Sequence, residues 1–434
     1  MTEIVIRNGL VVTDTSAEVC DVLVRNGKIA EVGVNLVATS DAQEIDATGC
    51  WVGPGFVDLH THLREPGREE AETIASGANA GVVGGFTALV AMPNTEPALD
   101  SVPMVSFVLE KGAQTQIDIA VAGAITVNRA GEHLAPIAEL AELGVRLFTD
   151  DGTGVQNPSL MRRALTYAKP LGVRLAQHCE DEQLANGGSM NEGELSSRLG
   201  LIGRPALAEE LMVLRDIELV RLTGAPLHFL HLSTARSIQM VAAAKAEGLP
   251  VTCEVAPHHL VLDEEACASF DPLFKVHPPL RSKSDAAALR EALKAGVIDA
   301  VATDHAPHAP ELKDLVFDEA PAGMLSLEHV AAITYEVVGD NPVRFYDVLS
   351  RGPAAIAQLR NEDDRVRHTG HGSTMKVGDD ANVTVFDPSL KWTVDKTNLQ
   401  SRATNTPYEG RELRGKAVHV LAKGRLVLDQ GVLV

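Results

Sequence analysis

The chain has 434 residues, of which 45% are hydrophobic and 22% are charged, and this composition is typical of a folded globular protein. Its formal net charge of −21 argues against nucleic acids and anionic membranes as partners, because both bind through a basic surface. A small-molecule substrate is expected instead, and an anionic one would need a local cation to capture it.

The chain carries no evident targeting signal. Its first residues lack a charged and then apolar leader, and no apolar stretch approaches the roughly 20 residues that a membrane helix needs. We therefore expect a soluble, cytoplasmic protein. The five cysteines are odd in number and contain no CxxC pair, so they predict reduced thiols rather than disulfides; they are Cys20, Cys50, Cys179, Cys253 and Cys267.

Both ends of the chain are rich in short β-strand patterns. In the first 50 residues, Asn-Gly joins such runs at Arg7-Asn8-Gly9 and again at Arg25-Asn26-Gly27, and each occurrence predicts a hairpin. Similar runs recur after residue 383. The two ends are predicted to form one small β-sandwich domain from residues 1–52 and 366–434.

The middle of the chain, residues 53–365, alternates strand and helix patterns. Three helices are predicted at Ala206–Leu222, Ala235–Glu247 and Asp285–Ala295, the last with Ser284 as its N-cap. Eight strands interleaved with helices favour a (β/α)8 TIM barrel over an open sheet. The predicted strands are Gly55–Leu59, Thr87–Ala91, Ile117–Ala122, Val145–Phe148, Val173–Ala176, Leu227–Leu230, Val251–Glu254 and Ala300–Ala302.

A His or Asp follows five of these strands. A barrel brings the C-terminal ends of its strands together at its active face, so the side chains are expected to converge. Imidazole and carboxylate groups bind one or two divalent metals and so indicate a hydrolytic metal site. The candidate ligands are His60, His62, Asp151, His178, His231 and Asp304.

Several of these positions have a structural alternative. Asp150-Asp151-Gly152 could be a simple turn, since Asp-Gly is common there. On the first strand side chains alternate faces, so His60 and His62 are expected to point together into the barrel. By the same alternation, His228 is expected to point away from His231, into the helix layer, and His305 away from the metal.

The remaining histidines are set aside. His258 and His259 follow the seventh strand and are left out of the metal shell as ambiguous. Five others lie away from strand ends and are expected at surface or structural positions; they are His133, His329, His368, His371 and His419.

The segment after Asp304 also predicts a functional element. His308 begins a loop of about residues 309–322 that is long for a barrel connection. We interpret this loop as a mobile lid over the barrel mouth, with a disordered surface insertion as the alternative.

Six motifs make the chain resemble the dihydroorotases of the amidohydrolase superfamily, in the long bacterial type. The first is Gly-Phe-Val-Asp-Leu-His-Thr-His-Leu-Arg-Glu-Pro-Gly at 55–67. The others are Ala-Met-Pro-Asn-Thr (91–95), Phe-Thr-Asp-Asp-Gly (148–152), His-Cys-Glu-Asp (178–181), Val-Ala-Pro-His-His-Leu (255–260) and Ala-Thr-Asp-His-Ala-Pro-His (302–308).

The resemblance implies a role for each matching residue. His60 and His62 would bind one Zn²⁺, His178 and His231 a second, and Asp151 would bridge them. Asp304 would be a ligand of the first zinc and the catalytic acid/base. The substrate contacts implied are His62, Arg64, Asn94, His277, His308, Ala322 and Gly323.

The same resemblance implies the reaction and the partners. Dihydroorotases interconvert N-carbamoyl-L-aspartate and L-dihydroorotate by closing or hydrolysing a cyclic amide in pyrimidine biosynthesis. A homodimer is expected, with an aspartate transcarbamoylase as a candidate further partner.

One position departs from the family pattern, and two other functions stay open. His277 stands where the family usually has Asn, and an imidazole cannot offer an amide's donor and acceptor together. A hydantoinase or dihydropyrimidinase would share the fold, but those relatives bridge their metals with a carboxylated lysine. An inactive homologue could serve as a scaffold for aspartate transcarbamoylase, although such proteins tend to lack the ligands present here.

Overall fold

The computed structural model describes residues 3–360 and 368–434. The predicted domain boundary between residues 365 and 366 lies outside the described residues. The strands in chain order are β1 (Glu3–Val12), β2 (Ala17–Arg25), β3 (Lys28–Gly33), β4 (Gln43–Asp46), β5 (Trp51–Pro54), β6 (Phe56–Thr61), β7 (Phe86–Ala91), β8 (Asp118–Gly123), β9 (Leu147–Thr149), β10 (Arg174–Gln177), β11 (Met190–Asn191), β12 (Gly203–Arg204), β13 (Leu227–Phe229), β14 (Val251–Val255), β15 (Ala300–Val301), β16 (Val383–Thr393), β17 (Glu412–Ala422), β18 (Arg425–Asp429) and β19 (Val432–Leu433).

Eight parallel strands form the predicted TIM barrel, in the order β15-β14-β13-β10-β9-β8-β7-β6. All eight predicted strands are present. The first and last strands meet at the mouth, where the Thr303 amide donates to the Asp58 carboxylate at 2.8 Å and Thr61 forms a parallel bridge with His305. This closure brings the residues that follow β6 and β15 side by side.

The helices surround the barrel strands. The predicted helix at Asp285–Ala295 begins earlier, at Lys283, because the hydroxyl of Ser282, not Ser284, accepts from the Asp285 amide. The helices are α1 (Ile74–Gly84), α2 (Val102–Gly112), α3 (Ile137–Glu142), α4 (Pro158–Leu171), α5 (Glu182–Ala185), α6 (Glu194–Leu199), α7 (Ala206–Thr223), α8 (Ala235–Ala246), α9 (Pro257–Val261), α10 (Lys283–Lys294), α11 (Pro310–Lys313), α12 (Val330–Val338), α13 (Pro342–Tyr346) and α14 (Gly352–Ile356). Within the described ranges, none of them is both long and apolar enough to span a bilayer.

Both ends of the chain build one nine-stranded mixed sheet, the predicted β-sandwich domain. Its order is β19-β18-β17-β16-β5-β1-β2-β3, with β4 paired to β1. Strand β5 is antiparallel to β16 and parallel to β1, so it joins the two halves. Because β6 follows β5 after a single residue, the terminal sheet leads directly into the first barrel strand.

One of the two predicted hairpins is wrong. Arg25-Asn26-Gly27 does turn β2 into β3, but Arg7-Asn8-Gly9 lies inside the continuous strand β1 as a bulge between Ile6 and Gly9. Asn8 has φ 58° there, and its amide donates to the Asp21 carboxylate of β2 at 3.0 Å. The left-handed residue that Asn-Gly supplies is therefore used for a bulge and not for a reversal of the chain.

The long loop after His308 is packed against the barrel mouth. It contains α11, and Lys313 donates from Nζ to the carbonyls of Pro272 and Pro321 at 3.1 and 2.7 Å. Phe317 is buried in a cluster with Val276 and Met324. The alternative of a disordered insertion is wrong, while the mobility of this lid stays a prediction.

Candidate metal centre and adjoining cavity

The predicted ligands converge at the mouth of the barrel. They form two groups that share Asp151: His60 and His62 in one, His178 and His231 in the other. All of these residues are buried, and within each group the ligand atoms lie within 4.8 Å of one another. His60 and His62 also face the same region, as the strand alternation predicts.

Asp304 lies beside the first group. Its Oδ1 is 3.2 Å from His62 Nε2 and 3.6 Å from His60 Nε2. His305, the next residue, turns away as predicted and places Nε2 3.3 Å from the Glu72 carboxylate. Both Asp304 (φ 45°) and His231 (φ 28°) have left-handed backbone conformations, which non-glycine residues adopt at a cost that functional sites often carry.

The spacing of these atoms fits a metal. A tetrahedral zinc with bonds of about 2.0–2.1 Å to nitrogen and oxygen holds its ligand atoms about 3.4 Å apart. The Asp151 carboxylate is 3.3 Å from His60 Nε2, 3.5 Å from His178 Nδ1 and 3.6 Å from His231 Nε2. His60 Nε2 is buried and has no hydrogen-bond partner among the described residues. Imidazole nitrogens and carboxylate oxygens are also ligands that divalent metals, zinc among them, bind in proteins.

The Asp150-Asp151-Gly152 segment forms a turn and also directs Asp151 toward the histidines. The carbonyl of the preceding residue, Asp150, accepts from the Thr153 and Gly154 amides at 3.1 and 2.8 Å, so a turn does form. The Asp150 carboxylate accepts from the Thr126 amide at 3.0 Å and points away from the histidines. The turn thereby leaves the Asp151 side chain facing them.

Buried charge is compensated within this cluster. Burial opposes ionisation of Asp304, but the hydrogen bond with His62 and the neighbouring imidazoles lower the pKa of its carboxyl. The same balance, with contacts to His60, His178 and His231, holds the pKa of Asp151 well below its usual range. Both carboxylates are therefore ionised at neutral pH and can bind a cation or accept a proton.

A cavity of about 180 Å³ opens beside the candidate ligands, and every residue predicted to contact the substrate lines it. Arg64 is 9% exposed, and its Nε donates to the Pro307 carbonyl at 3.1 Å, which leaves the two Nη groups for a ligand. Burial lowers the pKa of Arg64 to about 10, so the guanidinium stays charged at neutral pH. Also on the cavity wall are His62, Asn94, His277, His308, Ala322 and Gly323.

The cavity wall is shaped by close backbone approaches. His308 Nε2 lies 2.8 Å from the Ala322 carbonyl. Gly323 has φ 137°, and a Cβ there would be 2.8 Å from His308 Nε2 and 2.6 Å from the Ala306 side chain. Only glycine fits this position without displacing the wall.

Asn94 contacts two of the candidate metal ligands as well as the cavity. Its Oδ1 is 2.9 Å from His62 Nδ1, and its Nδ2 donates to Asp151 Oδ2 at 3.2 Å. The amide therefore orients two candidate ligands, and one hydrogen of Nδ2 is left for a molecule in the cavity.

The prediction for His228 is wrong. It is fully buried on the same side of the strands as Glu254, with Nε2 2.9 Å from Glu254 Oε2, rather than in the helix layer. Strand β13 ends at Phe229 and His231 has φ 28°, so strand alternation does not carry from His228 to His231. The sequence did offer one indication of this inward position: β13 and β14 each contain a strongly polar residue in a largely apolar run, His228 and Glu254.

The other histidines lie outside the two ligand groups. His258 Nε2 lies 4.0 Å from Asp304 Oδ2, and His259 Nε2 is 3.0 Å from the Pro278 carbonyl. His371 and His368 contact Asp118 at the opposite end of the barrel. Sequence reasoning also missed Asn405, whose side chain accepts from the His308 amide at 3.1 Å and donates to the Ala306 and Gly323 carbonyls at 3.0 and 3.2 Å.

Known proteins of similar fold include hydantoinases and dihydropyrimidinases. A dihydropyrimidinase from Brevibacillus agri matches with a TM-score of 0.84 and 27% identity, covering 100% of this chain and 96% of that one. An L-hydantoinase from Arthrobacter aurescens matches with a TM-score of 0.88 at 22% identity, over 100% and 98% of the two chains. At that identity the second match supports the fold alone.

The sequence relatives are more specific. A family model described as dihydro-orotase-like matches residues 49–237. A dihydroorotase from Anaeromyxobacter dehalogenans is 44% identical over 94% of this chain and 94% of its own. One from Mycobacterium tuberculosis is also 44% identical, over 95% of each chain. One from Pelotomaculum thermopropionicum is 42% identical over 99% of this chain and 100% of its own. The chain belongs to the dihydroorotase family.

Proposed function

We propose that this protein is a zinc-dependent dihydroorotase that interconverts N-carbamoyl-L-aspartate and L-dihydroorotate in pyrimidine biosynthesis. One observation carries the proposal: two His groups that share Asp151 adjoin a cavity containing Arg64. The first feature suits hydrolysis of an amide, and the second suits a substrate that bears a carboxylate.

In this proposal six residues would hold one or two Zn²⁺ ions. His60, His62 and Asp304 would bind the first, His178 and His231 the second, and Asp151 would bridge them. When bound, a divalent zinc supplies positive charge that acidifies water and polarises an amide carbonyl.

Arg64 and Asn94 would orient the substrate. A guanidinium makes two parallel hydrogen bonds to a planar carboxylate, and the fixed Nε of Arg64 sets the direction of its Nη groups. His277 would contact the ring, and His308 and the backbone at Ala322 and Gly323 would contact the ring or the carboxylate. Together they would hold the reacting carbonyl near Asp304.

Asp304 would move the proton. Its ionised carboxylate can accept a proton from the attacking water and donate it to the ring nitrogen that leaves. In the ring-closing direction the carboxylate takes a proton from the carbamoyl nitrogen as that nitrogen bonds to the carboxyl carbon of the substrate, and it returns the proton to the oxygen that leaves as water. Positioning such a group typically contributes about 10²- to 10⁴-fold to the rate.

The wider organisation belongs to the same proposal. The barrel of residues 53–365 would carry catalysis, and residues 1–52 with 366–434 would form the accessory domain. We propose a cytoplasmic homodimer, with an aspartate transcarbamoylase as the candidate further partner. Analytical ultracentrifugation, alone and with that enzyme, tests both associations.

The decisive experiment compares three cyclic amides on the zinc-loaded protein. L-Dihydroorotate should be hydrolysed, while dihydrouracil and hydantoin, which lack the carboxylate, should not. Arg64→Lys is the matched variant: it keeps the charge but loses the paired hydrogen bonds, so kcat/KM for dihydroorotate should fall about 10- to 100-fold. Turnover of dihydrouracil or hydantoin without turnover of dihydroorotate would favour the hydantoinase alternative, and no turnover of any of them would favour the inactive scaffold.

A further inference from the structure

The carboxylate of Glu254 lies directly behind the metal centre. Glu254 is on β14 and is fully buried. Its Oε1 is 3.0 Å from His60 Nδ1, on the side of the imidazole ring opposite to the Nε2 that faces Asp151 and Asp304. A carboxylate at this outer nitrogen can hold a ligand imidazole in place.

The other oxygen of Glu254 is also engaged. Oε2 lies 2.9 Å from His228 Nε2, and His228 Nδ1 lies 2.9 Å from the hydroxyl of Thr252. Each of the two carboxylate oxygens therefore lies within hydrogen-bond distance of one imidazole nitrogen.

These contacts determine where the protons lie. A carboxylate accepts hydrogen bonds, so a carboxylate placed between these two rings favours the proton of His60 on Nδ1 and that of His228 on Nε2. The Thr252 hydroxyl then donates to the free Nδ1 of His228. In the neutral imidazole of His60, Nε2 then presents the lone pair through which it would bind a metal.

Glu254 also reaches the second ligand group. Its Oε1 accepts from the backbone amide of His231 at 3.4 Å. Since His231 has a left-handed backbone conformation, an anchor for its amide helps to fix the direction of the ring. One carboxylate thus contacts a residue from each of the two groups.

Glu180, the carboxylate behind His178, is farther from its histidine and pairs mainly with an arginine. Glu180 Oε2 is 3.8 Å from His178 Nε2 and forms a close ion pair with Arg204. Of the two acids, Glu254 makes the shorter contact with a candidate ligand.

We propose that Glu254 is a positioning residue of the metal centre, which holds His60 in its metal-binding tautomer and is itself held by His228 and Thr252. This role rests on the metal binding in the proposed function and is independent of the identity of the substrate.

The test is the zinc affinity of the full-length Glu254→Gln variant, titrated against a chromophoric chelator without substrate. Gln has one acceptor oxygen and one donor group, so it cannot accept from both His60 and His228. We expect zinc to bind about 10- to 100-fold more weakly. The Co²⁺-loaded variant should also show a changed visible spectrum, because that spectrum reports ligand geometry.

Asp118→Asn is the matched control. Asp118 is also a buried carboxylate that contacts two histidines, His368 and His371, but it lies at the opposite end of the barrel. Its replacement should leave zinc affinity and the Co²⁺ spectrum unchanged. Wild-type affinity and spectrum in Glu254→Gln, or equal losses in both variants, would overturn the positioning role.

A second variant covers the case in which Glu254→Gln does not fold. Thr252→Val removes the hydroxyl that fixes His228, and with it the hydrogen bond that this hydroxyl accepts from Arg174 at 3.2 Å. Zinc binding should weaken about 2- to 10-fold, the value of the hydrogen bond to His228. If Glu254→Gln is unfolded, unchanged affinity in Thr252→Val overturns the proposal. A wild-type protein that binds zinc but does not hydrolyse dihydroorotate would refute the substrate and leave this test intact.

Discussion

The two ends of the barrel both hold a buried carboxylate between two histidines, but they differ in what the outer nitrogens contact. At the opposite end from the mouth, His371 Nδ1 lies 3.2 Å from the Thr87 hydroxyl, and Lys423 brings a positive charge 2.7 Å from Asp118. At the mouth, the free nitrogen of His60 faces two further carboxylates. The charge around the two pairs therefore differs: Lys423 compensates Asp118 at one end, whereas three carboxylates surround His60 at the mouth, which makes the mouth the end suited to a cation.

The largest effect expected at the mouth is from Asp304→Asn. The amide cannot accept the proton or bind a cation as a carboxylate does, so kcat for dihydroorotate should fall at least about 10²- to 10⁴-fold. The melting temperature should stay near that of the wild type, and circular dichroism should report an intact fold. Activity within tenfold of the wild type would show that another group moves the proton.

Asp151→Ala tests whether the two ligand groups share one carboxylate. Removing it takes a ligand from both groups, so elemental analysis of the zinc-reconstituted variant should show loss of the second metal. Asp118→Asn, prepared in parallel, should retain the wild-type metal content. Two tightly held zinc ions in Asp151→Ala would contradict the bridging role.

Asp118→Asn should affect stability and leave the metal site unaffected. Burial would raise the pKa of Asp118, but the contacts with His368 and His371 lower it well below its ordinary value of 3.8. A lowered folded pKa contributes stability that is complete above pH 3.8 and is lost as the pH falls below it. Urea unfolding should therefore show a deficit of about 1–3 kcal/mol at pH 7 that shrinks below pH 4.

If the loss of unfolding free energy in Asp118→Asn does not change between pH 7 and pH values below 4, the charge of Asp118 contributes nothing to stability. In Asp118→Asn, kcat/KM for dihydroorotate at pH 7 should be unchanged, because the candidate active site lies at the other end of the barrel. A loss of activity similar to that of the mouth variants would remove the distinction between the two ends.

The smallest effect is expected from His277→Asn. His277 is on the cavity wall, and burial lowers its pKa to about 3, so it is a neutral imidazole at neutral pH. Asn offers a donor and an acceptor together, so KM for dihydroorotate should fall about 2- to 10-fold, the value of one hydrogen bond. Metal content should not change, and a raised KM would show that the imidazole is the better contact.

The sequence predicts those parts of the fold and site that depend on local periodicity. Alternating strand and helix patterns predict the barrel, and the strand ends predict where the ligands meet. Asn8 shows a limit: Asn-Gly supplies a left-handed residue, but neighbouring strands decide whether it reverses the chain or forms a bulge. His228 shows another, because strand alternation fails once the backbone leaves the extended conformation at His231.

Glu254 and Asn405 could not be found in this way. Glu254 contacts His60 from 194 positions away, and Asn405 contacts His308 from 97 positions away. The first contact depends on how the barrel closes, and the second on how the segment between β16 and β17 packs on the barrel mouth. No local pattern records either. A buried polar residue in an apolar strand indicates that such a partner exists, without identifying it.

The hydrogen bonds of Asn405 have a consequence for how far the two parts of the chain can be separated. Asn405 follows all eight barrel strands in the chain, and yet it fixes His308, Ala306 and Gly323 at the mouth. A barrel cut off from the C-terminal segment would keep every candidate metal ligand but lose a side chain that shapes the cavity wall. The two parts of the chain therefore form one functional unit at the mouth.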